Sequence, residues 1–304
     1  MRLTLGMVAE TVRMNLMTNS EALLKAQDRA SSGKRIRQPS DDVVGTGRAL
    51  GLRSSIASIE QYTRNTDIAR NRLSITCSAL DSIVSAIRTV RSLAMTSANA
   101  SITDEAKMAV AAQLDHVSSE IADLANTQCL GKYIFAGSLS DKPPIISNPA
   151  GQPPYIYQGN SNQLLIRVGP GISIPAGVTG DMVLNMGSVA VPSSPDIFET
   201  IRLLKEEVLA GDCKAISARI ADIDALLDNA IAVRSKAGAS LSRLEATNEA
   251  LLNSKVTMAE LLSKTEDADL AEAIVDLRTR ENVYQAAIAT AGRIMNLTLA
   301  DFLK

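Results

Sequence analysis

Aromatic residues and histidine are scarce in this 304-residue sequence, and tryptophan is absent. Aromatics make up 3% of the chain, and His116 is the single histidine. A core of alanine, leucine, isoleucine and valine with few rings suits narrow packing between helices better than a bulky globular interior. His116 follows Asp115 on the polar side of a predicted helix, so we expect it to face solvent. The sequence also has no Gly-x-Ser-x-Gly elbow and no phosphate loop with a Walker lysine. It therefore predicts a protein that is not an enzyme.

The sequence also offers few candidates for metal binding or for disulfide bonds. Cys77, Cys129 and Cys213 are odd in number and far apart, so they predict neither a disulfide framework nor a metal-binding CxxC pair. The acidic runs at 41–42 and 266–269 are explained by helix capping, because carboxylates favour the positive end of a helix dipole. We expect no cofactor and no metal.

Charge and hydropathy exclude two classes of partner. The net charge is −2, with 31 basic and 33 acidic side chains interspersed, so no basic patch indicates nucleic acid. No apolar run approaches the roughly 20 residues of a membrane span. Glu10 and Arg13 interrupt the only stretch that could form a signal-peptide core. Composition by itself indicates a cytoplasmic protein, without nucleic acid and without membrane insertion.

Helix-breaking residues are concentrated in the middle of the chain. Nine of the ten prolines lie within 143–195, and none lies within 40–142 or 196–304. Short β-type runs at 155–157, 163–168 and 171–174 share this region with glycine- and proline-containing turns. The sequence predicts a mainly α fold: long antiparallel helices from both chain ends, with a small antiparallel β subdomain inserted at 140–195. The helical rod would comprise 41–139 and 196–264.

The two ends of the chain carry apolar seams in steps of three and four residues. The N-terminal seam includes the polar Asn19 and stops at Gly33, which can adopt a left-handed cap conformation. Its predicted packing residues are Leu5, Val8, Val12, Leu16 and Leu23. A basic loop follows, and Ser40 is a plausible N-cap for the next helix. A further capping box is predicted at 101–104. Ser194 followed by Pro195 predicts an N-cap with proline at the first helical position.

The C-terminal seam slips by one residue at 265–269, which predicts a bend or a change of packing face there. Its packing residues are Leu270, Ile274, Leu277, Tyr284, Ile288 and Met295. An isolated helix gains little stability from propensity alone. We therefore predict that 1–40 and 265–304 are coiled-coil polymerisation segments, disordered or frayed in the free chain, which pack between copies. The seams in the middle of the arms are expected to form internal core.

Several short segments resemble the bacterial flagellin family. The signature loop consists of Ser32, Gly33, Lys34, Arg35, Ile36, Asp41 and Asp42. The segments at 61–65, 124–126, 131–137, 284–287 and 297–303 resemble the branch of that family that joins the flagellar hook to the filament. The resemblance covers roughly 1–140 and 196–304. Val43 stands where the family pattern has proline, and Ser32 where threonine is common.

The resemblance implies an elongated flagellin-like helical bundle and a structural role at the hook–filament junction. It also implies export without a cleaved signal peptide. The expected location is therefore extracellular, on the flagellum, and no longer the cytoplasm that composition by itself indicated. The implied partners are other copies of the chain, the adjacent hook-associated protein or the hook, flagellin, and an export chaperone. Two other structural functions stay open: filament flagellin itself, and a type III secreted coiled-coil translocator or tip protein.

Overall fold

Seven helices and six short strands make up the part of the chain that is described. The computed structural model describes residues 5–98, 103–148, 154–186 and 196–302, and it describes side chains from Met7 to Arg293 within these ranges. The helices are α1 (Leu5–Ser32), α2 (Val43–Ala98), α3 (Asp104–Ala125), α4 (Gly180–Leu184), α5 (Ile197–Ala210), α6 (Cys213–Glu266) and α7 (Leu270–Phe302). The predicted mainly α fold with an inserted β-rich segment is confirmed.

The chain divides into two compact units. Unit 1 comprises Met1–Ser58 and Ser254–Lys304, and unit 2 comprises Ile59–Asn253. Unit 1 therefore holds α1, the start of α2, the end of α6 and all of α7. Unit 2 holds the longer parts of α2 and α6 together with every strand.

The core of unit 2 is built from the apolar faces of α2, α3, α5 and α6. Leu80 and Ile83 of α2 pack with Leu114 of α3 and Leu204 of α5, and all four are fully buried. Deep burial of large aliphatic side chains is the main favourable term in folding, so unit 2 has the means to fold by itself. Arg91 of α2 also pairs with Asp224 of α6 at 2.5 Å across the helix surface.

The strands form three separate antiparallel hairpins rather than one sheet. Strands β1 (Gln128–Cys129) and β2 (Lys132–Tyr133) form the first, and β3 (Ile145–Ser147) and β4 (Tyr155–Tyr157) form the second. The third pairs β5 (Leu165–Gly169) with β6 (Ile172–Pro175) and has a bulge between Arg167 and Gly169. Ile145, Val168 and Ile174 belong to the same core as the helices.

Three predicted helix starts were placed at the wrong residue. Asp42, not Ser40, caps α2, because its Oδ1 accepts a hydrogen bond from the Gly45 amide at 2.8 Å. Thr103 caps α3 by accepting from Ala106, and Ser101 lies outside the described residues. Asp196 caps α5 by accepting from Phe198 at 2.9 Å, whereas the predicted Ser194 and Pro195 lie outside the described residues. In each case the capping side chain lies closer to the helix than the pattern indicated.

Helix α2 contains a stretch long and apolar enough to cross a membrane by length and composition. Half of that stretch is buried inside the protein. Leu73, Leu80 and Ile87 explain the apolar character, because each is packed in the core of unit 2. The stretch is accounted for as a core helix.

The cap of α5 makes the stability of unit 2 depend on pH. Burial raises the pKa of Asp196 to about 7, although the Phe198 amide opposes this shift. A carboxyl whose folded pKa is raised contributes stability below its unfolded pKa, near 4, and loses it as pH rises towards 7. The predicted change is about 2–4 kcal/mol in the free energy of unfolding.

Asp196→Asn should remove this dependence while keeping an N-cap, since asparagine caps as well as aspartate. Thermal melts of both proteins from pH 4 to pH 8 check it. The difference in melting temperature between the variant and the wild type should grow in favour of the variant as pH rises. A difference that stays constant across that range would contradict the buried, protonated cap.

Candidate subunit interface and hinge

The terminal helices α1 and α7 pack against each other in unit 1. One face of α1 is half-buried in this pair and carries Val8, Val12, Leu16 and Leu23 of the predicted N-terminal seam. Leu5 lies outside the residues with described side chains. The seam residues of α1 therefore lie on its face towards α7 of the same chain.

The predicted C-terminal seam is divided between two environments. Leu277 and Tyr284 are half-buried in the helix pair. Leu270, Ile274 and Ile288 are about half exposed, with values of 54%, 52% and 49%. On a helix with 100° per residue these three lie roughly 20–60° from the line of Leu277 and Tyr284. They form an apolar border beside the helix pair. Met295 lies outside the described side chains.

The α1–α7 pair has a very small core. Among the described side chains of these two helices, only those of Ala26, Ala273 and Ala291 are nearly fully buried and apolar. Alanine buries little area, and burial contributes about 25 cal/mol per Å². The pair is therefore held far more weakly than the helices of unit 2.

A second apolar stripe on α1 was missed by the sequence analysis. Met7, Met14, Met17 and Leu24 are each about 60% exposed. Their spacing of seven, three and seven residues places them on one face, roughly opposite the seam that faces α7. The spacing itself was the available signal, but Glu10 and Glu21 occupy the intervening heptad positions and obscure it. We call these four residues the methionine stripe.

The signature loop joins α1 to α2 and is bound to the break between α6 and α7. The predicted bend at 265–269 is confirmed as this break. Gly33, at φ 65°, ends α1 in the left-handed conformation, and its carbonyl accepts from Ala268 at 2.9 Å. The amides of Arg35 and Ile36 both donate to the carbonyl of Glu266, at 2.7 and 3.3 Å. Two segments more than 220 residues apart in sequence are thus tied together through their backbones.

Charged side chains reinforce this tie around Glu266. The residue is 5% exposed, and its Oε1 accepts from Arg53 at 2.6 Å and lies 3.6 Å from Lys34. Lys34 also bonds to Asp267 at 2.5 Å, which raises the pKa of Lys34 and lowers that of Asp267. A buried carboxylate needs such partners, because removing one leaves an uncompensated charge. The cluster holds the α6–α7 break in one conformation.

The two aspartates of the loop order the chain locally. Asp41 accepts from the amides of Gln38 and Arg37, both at 3.0 Å, and these bonds lower its pKa. Asp42 caps α2, and the Gly45 amide likewise lowers the pKa of Asp42.

The other residues of the signature loop are fixed by close packing and by a backbone contact. Ile36 is buried beside Gly45, where a Cβ atom would collide with the side chains of Ile36 and Asp42. Ser32, the last residue of α1, donates back to the carbonyl of Asp28.

The remaining reactive or metal-ligating side chains do not come together in one catalytic or metal-binding site within the described residues. Within the described residues, no group of three metal-ligating side chains is close enough to hold an ion. His116 is exposed, as expected, and Asp115 beside it pairs with Lys205. Cys77, Cys129 and Cys213 are free thiols in three different environments. The binding of the signature loop to the α6–α7 break and the exposed apolar stripes of α1 and α7 indicate a protein that assembles with other chains.

Comparison with known proteins agrees with this geometry. The model of the bacterial flagellin N-terminal helical region matches residues 5–140, and that of the C-terminal helical region matches residues 220–303. The two matches together cover more than two thirds of the sequence. The chain belongs to the bacterial flagellin family. The first matched region includes α1 and the signature loop, and the second includes the break between α6 and α7 and helix α7 itself.

Individual members of the family give a finer comparison. This flagellin-family chain is 26% identical to flagellar hook-associated protein 3 of Salmonella typhimurium, over 98% of each chain. Its fold is similar to that of a putative flagellar hook-associated protein from Vibrio parahaemolyticus. That match has a TM-score of 0.66 and 21% identity, over 75% of this chain and 100% of the other. The flagellar junction protein FlgL from Legionella pneumophila matches with a TM-score of 0.59 and 18% identity, over 72% and 99%.

Proposed function

We propose that this chain is a structural subunit of the bacterial flagellum that forms the junction between hook and filament. The observation that carries the proposal is the match to hook-associated protein 3 along nearly the whole length of both chains. Matches to the flagellin helical regions at both ends agree with it. The function rests on packing between subunits and needs no catalytic residue.

The surfaces for this packing are the methionine stripe of α1 and the border of α7 formed by Leu270, Ile274 and Ile288. Together they expose seven large apolar side chains on two helices in which, among the described side chains, the nearly fully buried apolar ones are alanines. Apolar surface left exposed on this scale marks an interaction site. In the assembly, neighbouring copies would cover both surfaces and supply the burial that the α1–α7 pair lacks.

The partners follow from the position in the flagellum. Other copies of the chain lie beside it, a hook-associated protein or the hook lies on one side, and flagellin lies on the other. The subunit would leave the cell through the flagellar export apparatus without a cleaved signal. A cytoplasmic export chaperone would cover α7 before secretion, because exposed Ile274 and Ile288 favour association in the cell.

Filament flagellin is the nearest alternative, because the same family models describe it. A junction subunit should close into a short assembly, whereas flagellin should grow into long filaments. The translocator or tip-protein alternative is weakened by the membership in the flagellin family. Electron microscopy of the purified chain, incubated with and without preformed seeds, separates the first two functions.

Complementation tests the proposal directly. A strain deleted for its hook-associated protein 3 should lose motility and release flagellin into the medium. Expressing this chain in a closely related host should restore attached filaments. A chain that is secreted normally but leaves flagellin in the medium would contradict the junction role.

A further inference from the structure

Three of the four side chains in the methionine stripe of α1 contain sulfur. Met7, Met14 and Met17 are 58%, 60% and 62% exposed in the subunit. They lie within about 80° of one another around the helix and span roughly 15 Å along it. A thioether packs against apolar groups as leucine does, but unlike leucine it can be oxidised. The surface that the proposed function uses for packing between subunits is therefore also open to oxidants.

Two other methionines differ in their surroundings and provide references. Met186 is 4% exposed in the core of unit 2, so its sulfur is shielded from solution in the folded subunit. Met108 of α3 is 66% exposed, but it belongs to unit 2 and not to the terminal helices. Met186 therefore shows the effect of burial on oxidation, and Met108 shows the effect of oxidation outside the stripe.

Oxidation of these side chains needs only a peroxide as the second reactant. The sulfur lone pair attacks one oxygen of hydrogen peroxide, an S–O bond forms and the O–O bond breaks. The sulfur is oxidised by two electrons to the sulfoxide, and the hydrogen of the transferred oxygen passes to the departing hydroxide, which leaves as water. The product is a polar side chain in place of an apolar one, and methionine sulfoxide reductases reverse the change.

Sulfoxides in the stripe oppose assembly without unfolding the subunit. In a contact between subunits the stripe would be covered by apolar groups, and a polar group buried there without a hydrogen-bond partner is unfavourable. In the free subunit the same group stays in water, because the stripe lies roughly opposite the seam that faces α7. Oxidation is therefore expected to weaken binding between subunits more than folding.

We propose that Met7, Met14 and Met17 form an oxidation-sensitive site that excludes peroxide-damaged subunits from the assembly. Once a subunit is incorporated, its neighbours cover the three sulfurs and protect them. The inference rests on the proposed function, in which the stripe packs between subunits, and it adds a chemical control of that packing.

Peroxide treatment of the purified subunit tests the reactivity of the stripe. Peptide mass spectrometry should show sulfoxide forming about tenfold faster at Met7, Met14 and Met17 than at Met186, because oxidation follows exposure. Met108 should react at a rate similar to that of the stripe. A stripe that reacts as slowly as Met186 overturns the inference.

Competition within one partly oxidised preparation tests the consequence for assembly. The preparation is mixed with hook particles from a strain that lacks its own hook-associated protein 3, and the bound and unbound chains are separated. Bound chains should carry about tenfold less sulfoxide in the stripe than unbound chains, because a buried polar group weakens the contact. Sulfoxide at Met108 should be equal in the two fractions. Equal stripe sulfoxide in both fractions overturns the inference.

A variant with Met7→Leu, Met14→Leu and Met17→Leu links the effect to the three sulfurs. Leucine has a similar volume and is a good helix former, so the variant should fold and bind hook particles like the untreated wild type. Peroxide should lower binding of the wild type about tenfold and leave binding of the variant unchanged. Met108→Leu is the matched control and should stay as sensitive to peroxide as the wild type.

The outcomes separate the inference from the proposed function. Equal loss of binding by the triple variant and the wild type after peroxide overturns the inference while the junction role stands. If the triple variant fails to bind before treatment, the sulfoxide content of bound and unbound wild-type chains decides the question without it. Failure of the untreated wild-type chain to bind hook particles counts against the proposed function.

Discussion

Replacing Ile288 by aspartate should abolish filament attachment while leaving the melting temperature of the free subunit within about 2 °C of the wild type. Ile288 is 49% exposed on α7 and contributes little to the core of the chain. In the assembly its side chain would be buried, and an unpaired carboxylate there is strongly unfavourable. Filament counts in the complemented strain and thermal melts of the purified protein measure the two effects.

Thr290→Asp is the matched control for this prediction. It adds the same charge two residues away, about 200° around the helix, on an exposed surface outside the apolar border. Attachment should survive this change. Equal loss in both variants would show that charge on α7 interferes with export or folding, and that the border has no special role. A large drop in the melting temperature of Ile288→Asp would place Ile288 in the core instead.

Phe198→Ala should have the opposite profile, with a loss of about 3–5 kcal/mol in the free energy of unfolding. Phe198 is fully buried at the start of α5, and its ring centroid lies 4.5 Å from that of Tyr155. Removing the ring leaves a cavity between the helices and the β3–β4 hairpin. Chemical denaturation of the free subunit gives the magnitude.

Leu209→Ala provides the comparison on the same helix. Leu209 is 45% exposed near the end of α5, so its truncation should cost less than about 1 kcal/mol. If Phe198→Ala were no more destabilising than this control, unit 2 would not be the independent core that the burial pattern indicates. The contrast between Phe198 and Ile288 separates residues that fold the subunit from residues that assemble it.

The architecture could be read from the sequence because its signals are long. The concentration of nine of the ten prolines within 143–195 separated the arms from the β-rich segment, and the seam slip at 265–269 marked the break between α6 and α7. Periodic patterns of this length average over many residues, so a single exception such as Asn19 does not hide them.

Features set by a few atoms were harder to predict. Ser40 and Asp42 are both good N-caps by residue type, and only the hydrogen bond to Gly45 decides between them. Likewise, the spacing of apolar residues on α1 does not determine which of its two apolar faces, the N-terminal seam or the methionine stripe, packs against α7. The tie between the signature loop and Glu266 joins segments far apart in sequence, so it required the tertiary structure.

The two-residue turn between β1 and β2, formed by Leu130 and Gly131, was hard to predict for a different reason. A leucine-glycine pair is not a typical turn signal, because the turn favours asparagine or aspartate before glycine. Only the positive φ of Leu130 and its exposure reveal that a residue poorly suited to the turn occupies it. Leu130 thus departs from the residue preference of the turn, and its exposed side chain gains no packing inside the subunit that would offset the strain.

Hydrogen exchange compared between the free subunit and isolated hook–filament particles tests the central proposal most directly. In the free subunit, amides of α1 and α7 should exchange about a thousandfold faster than those of α2 and α3 within unit 2, because the nearly fully buried apolar side chains described in the terminal pair are small. In the particles, the terminal helices should become protected as neighbouring copies cover them. Equal protection of the terminal helices and unit 2 in the free subunit would contradict the account.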